Sequence, residues 1–397
     1  MKLAIITPFF LPVPSVKGGA VEQIITYFIY ANEKYHFYDI DLYTMSSDKL
    51  DEYSFKYTNI IQIKNMQEHV LIKIYYMFNN ILLHLLGRGK SKSYIGYRIR
   101  NVYKKNFYDI TLVENNMDLY NSLIKEKKNE KFIFHLHNDF NNGDAGKTLF
   151  KTKNIINTAD KIIVVSNYLK KKLQKIGAEN VSVVYNVFLS RRFETVSEEK
   201  IQRFKSRLNI PTNKTIFTFI GRLTPDKGAK ELLESLHLLK NKENIYCLII
   251  GDNLYEGNMH NKYKNKLAKL AGSSGISVRF MGYMENKDLP IIYSSSDCIV
   301  IPSQVEEAFG VVALEAMAMG KPVIASNVGG LPEVLSQKGS ILINNNDQFV
   351  EKFAEAIDII SSKKLLRKKM GKANFEKSKI FPNNEFKYYK ELAKELV

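Results

Sequence analysis

Two carboxylates bracket a short apolar stretch near residue 310. Glu307 and Glu315 lie eight positions apart, with Phe309-Gly310 between them and a helix-forming run, Leu314–Met319, overlapping the second. On one continuous helix, eight steps of about 100° would leave the two acids roughly 80° apart, so they would not share a face. The Phe309-Gly310 pair predicts a break instead, with Glu307 in a loop and Glu315 inside the helix that follows. Both acids could then address one ligand over the helix N-terminus. Free backbone N–H groups there suit an anion, and carboxylates accept from hydroxyls, so an anionic ligand carrying hydroxyls fits.

A second stretch adds cations. Gly221-Arg222-Leu223-Thr224-Pro225-Asp226-Lys227-Gly228 follows an apolar run and precedes a helical pattern. Arg222 can fork onto two oxygens and Lys227 supplies a point charge, so this glycine-bounded loop suits a diphosphate. A solvated turn with ordinary surface charges is the alternative. Gly320 and Pro322 end the helix that carries Glu315. Gly329-Gly330-Leu331-Pro332-Glu333 makes a tight turn, and Met281-Gly282-Tyr283-Met284 lies at the carboxyl end of a strand, where α/β sheets bind ligands.

The elements that must position these residues are short β-branched runs alternating with helical patterns. Strands are predicted at Leu3–Thr7, Asp39–Thr44, Asn59–Ile63, Asp109–Val113, Phe132–His137, Lys161–Ser166 and Val181–Tyr185. A second series covers Ile216–Ile220, Tyr246–Ile250, Val278–Met281, Cys298–Ile301, Pro322–Ala325 and Ile341–Ile343. Most are apolar throughout, as strands covered on both faces of a parallel sheet are. Helices are clear at Val21–Glu33, Leu169–Ile176, Ala229–Leu239 and Leu314–Met319. A polar stretch, Arg191–Pro211, separates the two series as a linker or connecting helix. The fold class is therefore α/β, with two doubly wound domains and a cleft between them.

The bulk numbers agree. At 397 residues the chain exceeds one ordinary core. Its 45% hydrophobic and 25% charged residues are those of a soluble globular protein. Cys247 and Cys298 lie in apolar runs and read as buried hydrophobes, not as a disulfide or metal pair. The first apolar run, Leu3 to Thr7, stops at Pro8 and reads as a buried strand rather than a secretory signal. The net charge of +17 is spread over both halves and leaves nucleic acid, an acidic membrane and anionic substrates open as partners.

The second half resembles the retaining glycosyltransferases of the GT-B fold, glycosyltransferase family 4. The resemblance rests on Gly221-Arg222 with Lys227-Gly228, Pro302-Ser303 ahead of Glu307 and Glu315, Glu315-Ala316-Met317-Ala318, Gly320-Lys321-Pro322-Val323, and Gly329-Gly330 with Glu333. It implies two Rossmann-like domains facing a deep cleft: an acceptor domain over 1–190, a nucleotide-sugar domain over 191–375, and a C-terminal helix over 376–397 crossing back to the first. It implies roles too. Arg222 and Lys227 clamp the diphosphate, Glu315 binds the ribose, and Glu307 holds donor-sugar hydroxyls. Gly221 belongs to the same donor site. Main-chain amides of Phe309, Gly310 and Val311 meet sugar and phosphate, and Gly282, Tyr283 and Met284 contact the base. Glu333 is read as capping the next helix. Gly251-Asp252-Asn253 departs from the family, which often has a second Gly there.

In the first half, Lys17-Gly18-Gly19-Ala20 lies between the first strand and its helix. The spacing is not that of a dinucleotide fingerprint; glycines before a helix favour close approach of an anion. The resembled family turns Gly18 and Gly19 toward donor phosphates and acceptor. Glu22 reads as an acid at a helix start. His135-Leu136-His137-Asn138-Asp139 ends a strand, and alternation puts both histidines on one side, a potential metal pair for which the sequence offers no third ligand. The resemblance assigns His137 to the donor sugar, leaves His135 to pack under the sheet, and gives Asp139 to His137 or the acceptor. Val187 replaces the Gly that often follows Asn186 in the family, which weakens the case for Asn186.

Residues 69–108 contain Lys73, Arg88, Lys90, Lys92, Arg98, Arg100, Lys104 and Lys105 and no Asp or Glu. Val70–Leu86 is apolar on most faces, with Lys73, Asn80, His84 and Arg88 on one polar stripe. Its length of about 26 Å falls short of the roughly 30 Å hydrocarbon core, and Lys73, Asn79 and Asn80 interrupt it, so a membrane span is not expected. An interfacial helix with a basic patch on an anionic leaflet, or a helix buried under a loop, remain as readings.

The expected function is retaining transfer of a sugar from a nucleotide diphosphate sugar to a glycan or lipid-linked acceptor, in bacterial cell-surface polysaccharide or glycoconjugate synthesis. UDP is favoured by family frequency. No metal or other cofactor is expected, because two cations neutralise the diphosphate. The protein is placed in the cytoplasm, peripheral on the inner face of the plasma membrane, with no nucleic-acid partner. A nucleotide-sugar epimerase, a basic nucleic-acid-binding protein and a non-catalytic partner subunit are the alternatives. They predict an altered sugar with no acceptor, steeply salt-dependent binding, and loss of the Arg222, Lys227, Glu307 and Glu315 set.

Overall fold

A computed structural model describes residues 1–64, 74, 77–78, 81–82, 94–140, 145–193, 196–252 and 258–397. The chain divides into two compact units, one of residues 1–186 with 385–397 and one of residues 187–384. The first thus ends at Asn186 and regains its last helix at Glu385.

The first unit carries a seven-stranded sheet in the order β3-β2-β1-β4-β5-β6-β7. Its strands are β1 (Lys2–Ile6), β2 (Asp39–Met45), β3 (Thr58–Ile63), β4 (Ile110–Glu114), β5 (Lys131–Leu136), β6 (Lys161–Val164) and β7 (Val181–Val183). Every pairing is parallel. The continuous apolar runs exist because both faces are covered: β1 after Lys2 and all of β4 are buried. The helix Ala20–Tyr35 packs against the terminal helix Glu385–Leu396. There Phe28 and Tyr389 approach ring to ring at 4.9 Å, and the Tyr389 hydroxyl donates to Asn32 Oδ1 at 2.8 Å.

The second unit carries a six-stranded parallel sheet in the order β10-β9-β8-β11-β12-β13. Its strands are β8 (Thr215–Ile220), β9 (Ile245–Ile250), β10 (Ser277–Gly282), β11 (Cys298–Ile301), β12 (Val323–Ser326) and β13 (Ser340–Ile343). Its core joins Phe217, Cys247, Ile249, Cys298 and Val300 to the helix faces that carry Leu232, Leu236 and Phe353. Both cysteines are free and buried, and burial pushes the Cys247 thiol up to about 12. β10 departs from the fully covered pattern. It is an edge strand, and its residues are half-buried or exposed.

Every predicted strand has a counterpart: Cys298–Ile301 coincides with β11, and the others differ by one or two residues at an end. Arg191–Pro211 contains the helix Glu198–Arg207, capped by the Ser197 hydroxyl. Residues 364–378 form a helix of the second unit, packed on Val311–Ala318, so the returning helix is shorter than 376–397.

Candidate active site

In each sheet the strand order reverses once, and ligands of doubly wound sheets bind beyond the carboxyl ends of the strands at that point. In the second unit the reversal falls between β8 and β11. The loop after β8 carries Arg222 and Lys227, and the loop after β11 carries Glu307. Topology therefore accounts for residues 80 positions apart meeting: Lys227 Nζ donates to Glu307 Oε1 at 2.6 Å. The Ser303 hydroxyl donates to the same oxygen at 2.6 Å. Arg222 stands more exposed, 3.3 Å from Asp226.

Backbone fit holds the two loops together. Gly228 has φ 75°, and a Cβ there would come within 1.7 Å of the Pro302 carbonyl oxygen. The main-chain N–H of Gln304 donates to Asp226 O at 2.8 Å. Glycine thus lets the cation loop lie directly on the loop that leads to Glu307.

Glu307 and Glu315 part as the Phe309-Gly310 break predicts. Glu307 is in a loop, and Gly310 precedes the helix Val311–Ala318, in which Glu315 is the fifth residue. Phe309 is buried and meets Phe381 edge-on at 5.7 Å. Behind Glu315 stands Tyr293, a fully buried side chain that sequence reasoning passed over. Its hydroxyl donates to Glu315 Oε2 at 2.7 Å. Burial pushes the Glu315 carboxyl up to about 7, against the opposing pull of the Tyr293 hydrogen bond and Arg192. A helical pattern with one tyrosine announces only a core position, which is why Tyr293 gave no signal.

The remaining second-unit candidates fall as follows. Gly221 N–H donates to Ile250 O, and Gly282 O accepts from Gly251 N–H, so the ends of β8, β9 and β10 are tied together. Tyr283, just beyond β10, is exposed, and Met284 follows it in the same loop. Gly251 has φ 127°, and Asn253 lies outside the described residues. Asp252 pairs with Lys264 at 2.6 Å. Glu333 sits within the short helix Leu331–Val334 rather than ahead of it.

In the first unit the reversal falls between β1 and β4. Gly18 and Gly19 follow β1 with φ 81° and 94°, and Gly19 caps Ala20–Tyr35 without a side chain. Glu22 is buried under Gly19. Burial raises its carboxyl, opposed by backbone N–H bonds from Glu22 and Leu11, so it serves the helix start. β4 ends at Glu114, which is in register with His135 of β5. His135 and His137 do share a side, and both face this acid. Glu114 Oε2 is 2.8 Å from His137 Nε2 and 3.1 Å from His135 Nδ1. The third group that the sequence did not offer comes from the neighbouring strand, in a register invisible to spacing along one chain segment.

Among the described residues, Glu114, His135 and His137 are the set whose donor atoms, all within 4.8 Å of one another, could hold a metal ion. The arrangement fits hydrogen bonding better. Each imidazole already meets the carboxylate at hydrogen-bond distance. His135 Nε2 and His137 Nδ1 have no partner, whereas metal-bound histidines donate their outer N–H to a supporting acceptor. Burial first, then His135, pushes the His137 imidazole down to about 4. Burial opposes ionisation of Glu114, but charge and hydrogen bonds from the two histidines outweigh it and hold the carboxyl low. Asp139, offered as a partner for His137, instead takes Lys172 at 2.6 Å and the Tyr168 hydroxyl at 3.0 Å. Asn186 is buried and lies against His137 despite Val187.

Residues 200–377 match the family model of glycosyl transferases group 1. Lipopolysaccharide 1,2-N-acetylglucosaminetransferase of Salmonella typhimurium is 32% identical over 228 residues, 56% of each chain. Spore coat protein SA of Bacillus subtilis is 26% identical over 94% of this chain and 93% of its own. Among solved structures, Anabaena HepE in complex with UDP and glucose has a TM-score of 0.76 at 18% identity, over 100% of this chain and 99% of that one. Sucrose-phosphate synthase of Thermosynechococcus elongatus has a TM-score of 0.78 at 19% identity, over the same shares. The chain has the two-sheet GT-B fold of these structures, and residues 200–377 within it are similar to the glycosyl transferases group 1.

Proposed function

We propose that this protein transfers a sugar, with retention, from a nucleotide diphosphate sugar to a glycan or lipid-linked acceptor in cell-surface glycan synthesis. The observation that carries this is the convergence of Lys227, Glu307 and Ser303 where the second sheet reverses, with Glu315 on the adjoining helix. Cations neutralise the diphosphate as the C1–O bond to it breaks, and no metal is needed for that charge. The acceptor hydroxyl forms the new bond to C1 on the same face, and its proton passes to the departing phosphate oxygen. Glu307 holds sugar hydroxyls and Glu315 the ribose. Similarity to the Salmonella lipopolysaccharide transferase and to HepE bound to UDP and glucose supports a UDP-sugar donor and a surface-glycan acceptor. A nucleoside-diphosphate release assay across UDP- and GDP-sugars, with soluble and lipid-linked acceptors, tests the proposal. No release with any donor, together with no thermal shift from UDP or GDP, would sink it.

The ribose assignment has a pH signature. Ribose hydroxyls donate to the carboxylate form of Glu315, whose carboxyl stands at about 7. Nucleotide affinity should therefore rise from pH 6 to pH 8 and level off above. In the empty protein the sign is opposite for stability: the raised carboxyl contributes most below the ordinary value of 4.5, and that contribution is lost as pH rises through about 7. Tyr293→Phe removes a donor to the charged form and should move the rise to higher pH. Calorimetric UDP titrations at three pH values check this, and a flat profile in both proteins would refute the assignment.

The membrane reading gains one observation. Ile74, Met77, Phe78, Ile81 and Leu82 are helical and exposed, by 46% to 69%. These five apolar side chains are turned to solvent. Lys73, Asn80, His84 and Arg88 lie outside the described residues, as do Lys90 and Lys92. No helix among the described residues is long and apolar enough to cross a membrane. We read the face as lying in the interface of an anionic leaflet. Ile74→Ser/Phe78→Ser/Leu82→Ser should abolish flotation with anionic vesicles while leaving thermal unfolding unchanged. Equal flotation of both proteins would refute it.

A further inference from the structure

A groove of about 560 Å³ runs along the outer edge of the first sheet, within the range of about 300–1,000 Å³ that ligand sites occupy. It lies between β2 and β3 and the segment 50–57 that joins them. Lys2, Asp39 and Thr58 line it, and each is the first residue of its strand. The groove therefore begins at the amino ends of the strands and centres on β2 and β3. A switch-point site lies beyond the carboxyl ends, at the reversal between β1 and β4. None of the candidate site residues described above lines this groove.

The joining segment is held at both ends. Glu33 accepts from the main-chain N–H groups of Lys56 at 2.7 Å and Tyr57 at 3.1 Å, and from the Thr58 hydroxyl at 2.8 Å. Gln62 accepts from Ser47 N–H at 3.0 Å and donates to Asp51 Oδ1 at 2.8 Å. Phe55 is braced edge-on by Tyr30, with ring centroids 5.8 Å apart, and tilted against Tyr53 at 5.9 Å. Phe55 and Tyr53 are only half-buried, so ring surface is left over. Tyr57 is already covered, stacked on His36 at 3.5 Å with Lys56 Nζ 4.9 Å from its centroid. A groove held in shape in this way spares a ligand the cost of ordering it.

The lining also selects by charge. The chain carries +17, yet Asp39, Asp41 and Asp51 line the groove with only Lys2 and Lys56, so an anion gains no net attraction there. Asp41 is taken up by Asn59 at 2.9 Å, Tyr108 at 2.9 Å and Lys2 at 3.2 Å. Among the described residues, the set that could hold a metal ion lies elsewhere, at the end of β4. What stays open is uncharged hydrogen bonding. The Ser54 hydroxyl is exposed and has no partner among the described residues. Asn59 gives its amide N–H to Asp41 and keeps Oδ1, and Asp51 keeps Oδ2. Oxygen acceptors and a hydroxyl beside aromatic surface suit a molecule with apolar C–H faces and a rim of hydroxyls.

We infer that this groove binds a neutral oligosaccharide, one sugar face lying on Phe55 and Tyr53 and its hydroxyls meeting Ser54, Asn59 and Asp51. The inference concerns binding and does not rest on the transferase reading. Where that reading holds, the ligand is of the same chemical class as a glycan acceptor, held away from the β1–β4 reversal.

The probes are maltotetraose and chitotetraose, titrated into the full chain. At least one should bind in the millimolar range and shift the side-chain amide signals of Asn59 and Gln62. Phe55→Ala should weaken that binding roughly tenfold, the scale of one aromatic contact. Ser54→Arg puts a long side chain into the groove from an exposed position, and should block binding with thermal unfolding unchanged. Failure of both probes to bind would overturn the inference. So would binding that leaves the Asn59 and Gln62 signals unmoved, or native affinity in Ser54→Arg. The signal shifts in the native protein decide the matter even if Phe55→Ala fails to fold. A protein that binds a probe here and turns over no donor would sink the transferase reading and leave the groove assigned. One that transfers sugar and binds neither probe would do the reverse.

Discussion

Glu307→Ala should abolish sugar transfer while leaving the affinity for the bare nucleoside diphosphate intact or severalfold higher. Lys227→Ala should lose both. The asymmetry follows from the 2.6 Å pair between them. In the empty protein Lys227 is engaged by Glu307, and it must turn to the diphosphate when a donor enters. Removing the acid frees the cation for phosphate but removes the group that holds the sugar. Removing the cation deletes a charge-assisted bond to the diphosphate, on the order of 1.5–3 kcal/mol, or roughly ten- to a hundredfold in affinity. Loss of transition-state charge stabilisation should then cost turnover a further factor of about 10²–10³. Both side chains are partly exposed, so breaking the pair alone should change stability by only about 0–1 kcal/mol. Calorimetry with UDP, beside turnover and thermal unfolding, separates these effects. Parallel loss of UDP binding in both variants would mean that the pair shapes the loops and does not grip the ligand.

That pair also shows how far the sequence could be read. The strands were legible because two-sided burial writes itself as continuous apolar runs, and the Glu307/Glu315 break was legible because Phe309-Gly310 cannot continue a helix. Arg222, Lys227 and Glu307 were legible as separate motifs, but their meeting depends on β8 lying beside β11. Glu114 and Tyr293 were not legible at all. Each acts across a strand pairing or a helix contact, and neither residue type carries a spacing that betrays the partner. The edge position of β10 was equally hidden, because a strand's own residues do not say what lies beside it. The Lys172 partner of Asp139 was hidden for a related reason: it is 33 positions away, and only folding brings it to the acid.

Gly329→Ala should be among the most damaging single-methyl additions in the second unit, and its damage should reach the site. Gly329 has φ 56°, and a Cβ there would lie 2.1 Å from the carbonyl oxygen of Glu307 and 2.6 Å from its nitrogen. Those are backbone atoms of the loop that presents the acid, so no flexible side chain can yield. The next residue clamps the same place, Gly330 N–H donating to Glu307 O at 2.6 Å. Two costs add: about 1–2 kcal/mol for a left-handed alanine and about 1–3 kcal/mol for forcing the loops apart. Gly177 provides the control. Its φ is 96° and nothing lies within 4 Å of a Cβ built there, so Gly177→Ala should show the conformational cost alone. The excess loss in Gly329→Ala, expected at about 1–3 kcal/mol, measures how tightly the turn grips the Glu307 loop. Because the displaced atoms belong to Glu307 itself, folded Gly329→Ala should also behave as a Glu307 variant, retaining nucleoside-diphosphate affinity and losing transfer. Equal stabilities of the two alanine variants, with transfer intact in both, would show that the Gly329 turn merely borders the site.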